Sequence, residues 1–280
     1  MIKTENKKII WFERFESFFV EGGDARRFLN GITTTNINLG KNFIQTCWLT
    51  PKGILRALLE VHFYKEKLLL IVLEGNIREI KDFLEEMIFP SDKVLLSENF
   101  LVSRIQEIKN NISWRNSEPK IFVKTDPKYY CEENQLQLCE ANHLEEWKIR
   151  QAIPKLNNEI DGINNPLELG LYDLIDFNKG CYLGQETMAR LNKLASLKQE
   201  IRVCSAISPH ENLKFDDKKI FLTKEKIKLT GYITNILVLH SGEIIGLAMI
   251  KKNYLSEKES FFNENLGKLK IQKSVGSNFF

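Results

Sequence analysis

Residues 176–190 read Asp-Phe-Asn-Lys-Gly-Cys-Tyr-Leu-Gly-Gln-Glu-Thr-Met-Ala-Arg. Two glycines, a cysteine, a lysine, a carboxylate and an arginine are gathered into what reads as one tight turn entering a helix. Gly180 and Gly184 permit backbone angles that other residues avoid. The helix is expected from Gln185 to Arg190, with Glu186 in the first turn, where the helix dipole favours negative charge. Cys181 then lies between Lys179 and a helix N-terminus, and both favour a thiolate. One segment thus offers a nucleophile, free backbone N–H groups and charged side chains. The competing reading of Cys181 is a small buried residue that fills a turn.

Upstream of this stretch, Pro154 to Pro166 is rich in Asn and Asp and reads as a long irregular segment, a feature often tied to function. Before it, Asn142-His143-Leu144-Glu145 has the form of a capping box opening a helix to about Ile153. Asn76 to Phe89 is the clearest amphipathic helix. Ile77, Ile80, Phe83, Leu84, Met87 and Ile88 recur at helical spacing, and Pro90 ends it. Strands are expected at 43–49, 57–64 and 67–73, with Thr50-Pro51-Lys52-Gly53 as a turn. Asp24 is placed to cap a short helix through Leu29 that stops at Gly31. Residues 109–119 are polar and read as a loop. Beyond Arg190 the pattern changes to short strands at 201–207, 218–223, 232–239 and 243–250, with His240-Ser241-Gly242 as a hairpin signal. The expectation is an α+β region followed by a smaller β region, with the boundary near residue 198.

Composition narrows the class. At 280 residues the chain is long enough for about two domains. An apolar share of 43% and a charged share of 28% are those of a soluble globular protein. No run of 18 apolar residues exists, so no membrane span is expected. The N-terminus lacks an apolar signal core, and a cytoplasmic location follows as the default. Net charge is +3 with no basic block interleaved with aromatics, so nucleic acid is not an expected partner. The cysteines are Cys47, Cys131, Cys139, Cys181 and Cys204. Their odd number and the lack of a C-x-x-C argue against a disulfide framework and against the usual zinc or iron–sulfur ligand spacing. With the four histidines scattered, no metal site is legible.

Lys179-Gly180-Cys181-Tyr182-Leu183-Gly184-Gln185-Glu186, with Ala189-Arg190, resembles the signature of the YgfZ-type folate-binding proteins, relatives of the glycine cleavage T-protein (aminomethyltransferase). Fainter agreement runs along most of the chain: Gly23-Asp24-Ala25 with Phe28-Leu29 and Thr34-Thr35-Asn36, then Thr50-Pro51-Lys52-Gly53, Ala152-Ile153-Pro154, Pro166-Leu167-Glu168 and Thr230-Gly231-Tyr232-Ile233-Thr234. The resemblance implies a T-protein-like α+β fold of two interleaved subdomains in residues 1–198, the inserted one at roughly 44–125, followed by a small β-barrel over 199–280. It also implies tetrahydrofolate, or another reduced folate, in a central hole, and a role in assembling or repairing iron–sulfur enzymes. Client or assembly proteins of that class are the implied partners.

The chain departs from the T-protein pattern. T-proteins carry an acid in the strand after the turn at Gly53, against the reactive folate nitrogen. Ala57 and Leu58 stand there, and Glu60 is the nearest acid. A second T-protein carboxylate falls where Lys148, Ile149, Arg150 and Gln151 stand, and the Asp usual after the threonine pair is Asn36. An aminomethyltransferase is therefore the second hypothesis, and a non-catalytic folate-binding scaffold the third.

Each site residue has two readings. Cys181 is the expected reactive centre. Glu186 can accept from a pterin's amino group and ring N–H, or merely offset the dipole. Gln185 contacts ligand or holds the loop. Lys179 and Arg190 meet the anionic folate tail, or are surface charges. Gly180, Tyr182 and Gly184 shape the turn around the ligand. Glu168 faces the hole or stands in solvent. Trp48 and Tyr172 line a pterin slot or belong to the core, and Trp147 is read as core.

Overall fold

Strand β1 (Lys8–Glu21) organises the molecule. In this computed structural model, which describes residues 7–37, 41–64, 66–194, 197–207, 215–222, 228–255 and 260–279, β1 pairs along most of its length. The other strands before the signature are β2 (Phe43–Leu49), β3 (Leu55–Tyr64), β4 (Lys67–Glu74), β5 (Leu95–Leu96), β6 (Phe100–Glu107), β7 (Lys120–Val123) and β8 (Leu136–Leu138). They form one eight-stranded sheet in the order β2-β3-β4-β1-β6-β7, with β5 and β8 also on β1. Ser17 to Val20 face β4, Ile10 to Ser17 face β6, and Lys8 to Ile10 run parallel to β8. Nothing in the sequence announces β1, because Glu13, Arg14 and Glu16 interrupt its apolar residues. Residues 43–123 supply β2 to β7, and the sheet joins them to β1 directly.

Both faces of the sheet are covered at β4, which explains its unbroken apolar run Leu68 to Leu73. On one face lie α1 (Ala25–Ile32) and α2 (Ile77–Met87), packed on Phe18, Trp48, Ala57, Leu59 and Leu70. Asn76 caps α2, its side chain accepting from Arg78 and Glu79 N–H. On the other face lie α4 (Ala141–Arg150), the irregular segment 153–175 and α5 (Gln185–Leu194), with Trp11, Cys47, Leu58, Trp147, Leu169 and Met188 among the shared core. A short α3 (Lys128–Glu133) precedes β8.

The last third is a closed barrel of β9 (Gln199–Ile207), β10 (Lys219–Phe221), β11 (Leu229–Val238), β12 (Glu243–Lys251), β13 (Phe261–Asn263) and β14 (Gly267–Gln272). Its outer residues Ile201, Val203, Ile245, Leu247 and Met249 join the core of the sheet's second face, while Cys204, Ile220, Ile233 and Ala248 fill its own interior. An α+β sheet region followed by a small β-barrel is thus what the chain forms.

Three local expectations need correction. Asp24 stands at the N-cap of α1 but makes no capping bond, because its Oδ2 accepts from Lys93 N–H at 3.0 Å. The capping box at 142–145 does not form, since the N-cap of α4 falls at Glu140, two residues before Asn142, and Glu145 pairs with Lys155. Gly180 does not adopt the left-handed backbone that its identity permits, and a Cβ there would meet nothing within 4 Å.

Candidate functional site

The signature turn is fastened to the sheet by two glycines in left-handed conformations. Gly184 has φ +82, and a Cβ on it would come within 2.8 Å of the Thr50 carbonyl oxygen and 3.1 Å of Gly53 Cα. Gly53 has φ +78, and its Cβ would sit 2.9 Å from Thr187 Cβ. The Thr50–Gly53 turn and the start of α5 therefore meet backbone to backbone, a closeness that only glycine allows at either position. At the other end, Asp176 Oδ1 accepts from Asn178 and Lys179 N–H, and Asp176 N–H donates to the Thr34 carbonyl.

Between these anchors the side chains divide. Cys181 is exposed, as are Gly180, Glu186 and Arg190. Lys179 turns inward, with its Nζ donating to the carbonyls of Asn30, Thr33 and Thr35. Burial pulls its pKa down to about 8, and Asp176 opposes that pull. Tyr182 is buried, its ring 5.2 Å from Lys179 Nζ and its hydroxyl without a partner. Burial raises the Tyr182 phenol, and Cys47 and Asp176 add to that. Gln185 is half-buried and reaches the Lys179 carbonyl at 3.4 Å, holding the loop.

Two further expected residues stand apart from this turn. Trp48 lies in the layer between sheet and α2, its ring 5.1 Å from Phe83. Alternation along β2 points it away from the face where Cys47 meets the signature. Glu168 is buried at the junction of the irregular segment and the barrel. It forms a reciprocal pair with Asn165 (Glu168 N–H to Asn165 Oδ1, 3.0 Å), and its carbonyl accepts from Ile201 N–H. Burial raises its carboxyl, against nearby N–H donors and Lys198.

Beside the turn opens a cleft of about 650 Å³, which no local motif announces. Thr35, Phe43, Gln45, Arg115, Asp173 and Leu174 line it, with Lys41 and Glu118 at its edges. Its wall is tied to the signature through Thr35, whose hydroxyl donates to the Leu174 carbonyl and whose own carbonyl accepts from Lys179 Nζ. The Arg115 side chain is 3% exposed, donates to Asp173 Oδ2 at 2.9 Å and leaves Nη1 without a partner. The Asp173 side chain is 36% exposed and so keeps acceptor capacity. Arg115 lies in the stretch read only as a polar loop, and its partner is 58 residues away. That separation is why pattern reading missed both.

The acids tell a separate story. Ala57 and Leu58 are fully buried, one on each face of the sheet. Glu60 is fully buried too, but both its oxygens are engaged. Arg104 holds them in a fork at 2.9 and 3.0 Å, Gln45 donates to Oε1 and His62 lies on Oε2. Burial alone would raise this carboxyl, but Arg104 and His62 hold it well below the usual range. Lys148, Arg150 and Gln151 make structural contacts, to Glu13, to Glu146, and to Trp114 N–H. Among the described residues no three His, Cys, Asp or Glu side chains gather as metal ligands, and no helix is long and apolar enough to cross a membrane.

Comparison with known proteins gives two findings. The glycine cleavage system aminomethyltransferase T of Bartonella henselae superposes with a TM-score of 0.72 over 98% of this chain and 88% of that one, at 11% identity. The chain therefore has the T-protein fold. A chloroplastic Arabidopsis thaliana protein, provisionally named a transferase, is 35% identical over 115 residues. That match covers 40% of this chain and 24% of the relative's length. No protein-family profile matches the chain.

Proposed function

We propose that this chain binds a reduced folate and serves, in the manner of the YgfZ-type proteins, as an accessory factor for iron–sulfur enzymes, with Cys181 as its chemical centre. One observation carries the reading. On a T-protein fold, the only acid of β3 beyond the turn is locked by Arg104, Gln45 and His62, while the signature turn presents an exposed thiol. Aminomethyl transfer requires an acid–base group beside the folate nitrogen, a contribution of about 10²–10⁴-fold. Ala57, Leu58 and the engaged Glu60 do not supply it.

The cleft suits a folate. Asp173 has an open oxygen for the paired N–H groups of a pterin edge. Phe43 offers a ring for the flat heterocycle. Arg115 holds Asp173 in place at 2.9 Å, and Lys41 suits a carboxylate of the glutamyl tail. Bound folate would lie against the Thr35 wall, which Lys179 joins to the signature turn, and this chain's own contribution is to orient it.

Calorimetry with tetrahydrofolate tests the binding. We expect saturable binding that weakens at least tenfold in Asp173→Asn, and no binding of any reduced folate at millimolar concentration would sink the reading. The provisional name of the plant relative favours a second reading, a transferase. Turnover of an aminomethylated carrier protein with tetrahydrofolate separates the two, and we expect none. Cys181→Ser should retain folate affinity while losing support of iron–sulfur enzyme activity. If that variant stays fully active in such an assay, the chain is a folate-binding scaffold.

A further inference from the structure

The charge of Lys179 is consumed inside the fold. Its Nζ stands 2.6 Å from the Asn30 carbonyl oxygen, 2.7 Å from that of Thr33 and 3.1 Å from that of Thr35, and the residue is 7% exposed. These carbonyls belong to the last turn of α1 and the three residues that follow it. The end of a helix leaves carbonyls without intrahelical donors and carries partial negative charge. Here the amide that would extend the helix is diverted, since Thr34 N–H donates to the Cys47 carbonyl in β2. Three oxygens therefore converge on one point, and an ammonium has three N–H donors to meet them. The contact spans 149 residues of sequence between Asn30 and Lys179. Through it the signature turn grips the same Thr33–Thr35 segment whose Thr35 lines the cleft.

We propose that Lys179 is a positioning residue that acts as a tethered monovalent cation. Its ammonium fills a three-carbonyl cradle and so fixes the Thr33–Thr35 wall of the cleft against the signature turn. In its absence the cradle accepts a small free ammonium ion. Lys179 then has no proton to give to Cys181 and no donor left for a bound ligand. Only the ligand readout below rests on the folate reading; the cradle itself does not.

Chemical rescue tests this. Lys179→Ala should lower the melting temperature and weaken tetrahydrofolate binding several-fold. Added n-propylammonium should restore both. Tetramethylammonium at equal ionic strength, having no N–H, should restore neither, and neither salt should affect the wild type. Lys179→Arg should remain impaired, because a planar fork does not address three converging carbonyls. If the wild type binds no folate, the folate reading fails, and the melting temperatures still decide the cradle. Should Lys179→Ala not fold, nitrogen NMR of the wild type decides instead: a buried, carbonyl-bound ammonium gives a slowly exchanging N–H signal at neutral pH, and its absence overturns the proposal. The proposal is equally overturned if Lys179→Ala melts and binds as the wild type does, or if the two salts act alike.

Discussion

The five cysteines differ sharply in exposure. Cys181 is exposed, Cys131 and Cys139 are half-buried, and Cys47 and Cys204 are buried. Burial pushes the Cys47 and Cys204 thiols up to about 12. Cys131 and Cys139 are raised as well, by burial and then by neighbouring carboxylates, Asp126 and Glu132 for the first and Glu140 for the second. The thiolate is the reactive form. Brief iodoacetamide treatment at neutral pH should therefore label Cys181 first and leave Cys47 and Cys204 unmodified until the chain unfolds. Peptide mass spectrometry checks this, and labelling of Cys131 or Cys139 ahead of Cys181 would contradict it.

The irregular segment 153–175 is held to the barrel by a buried carboxylate. Glu159 is fully buried; it accepts from the Thr234 hydroxyl on β11 and from Lys155 N–H at 2.9 Å, and its own carbonyl accepts from Asn164. Burial raises its carboxyl, and the hydrogen bonds from Thr234 and the backbone pull the other way. A raised folded-state pKa means that the native protein holds this proton more tightly than the unfolded chain. Its contribution to stability is thus complete below the ordinary carboxylate value and is lost as pH rises through the folded one. Thr234→Val removes a donor from the ionised form. It should cost about 1–3 kcal/mol at neutral pH and less at lower pH, as the ionised form that needs this donor is depopulated. Denaturant melts at the two pH values decide, and an equal cost at both would refute the titration of Glu159 in this window.

Across the whole molecule the chain's end closes the assembly. After β14 the chain returns to the sheet region, where Val275 N–H donates to the Arg150 carbonyl and Asn278 N–H to the Gly170 carbonyl at 2.6 Å. Gly276 passes so close to the Gln151 carbonyl that a Cβ would lie 1.8 Å from its oxygen, and Gly170 meets Ser277 in the same way at 2.5 Å. Phe279 packs under Arg202 of the barrel, 4.9 Å from its guanidinium carbon. Ending the chain after Lys273 removes two backbone hydrogen bonds and this packing. The two bonds alone amount to about 1–3 kcal/mol, and about 2–4 °C of melting temperature per kcal/mol is expected for a chain of this size. Calorimetry of the truncated chain should show that fall; an unchanged transition would mean that the tail does not hold the two parts together.

What the sequence alone determined is what acts over a few residues. The period of α2, the Thr50–Gly53 turn, the turn-and-helix of the signature and four of the six described barrel strands, β9 to β12, are written in neighbouring side chains. Gly53 and Gly184 were legible as turn residues, but not as partners. The Ala57-Leu58 departure was visible too, since it concerns the identity of two residues. Tertiary structure decided the rest. The central place of β1 depends on strands as distant as β8, where Lys8 pairs with Leu136, and its charged residues hide its period. Which face Trp48 takes follows from the layer that covers it. Glu60 and Arg104 are 44 residues apart, Arg115 and Asp173 are 58, and Lys179 reaches carbonyls up to 149 residues upstream. A charged side chain does not carry its partner's address. Whether it is a ligand, a lock or a tether is fixed only when folding brings a particular carboxylate or carbonyl to it and removes the water between them.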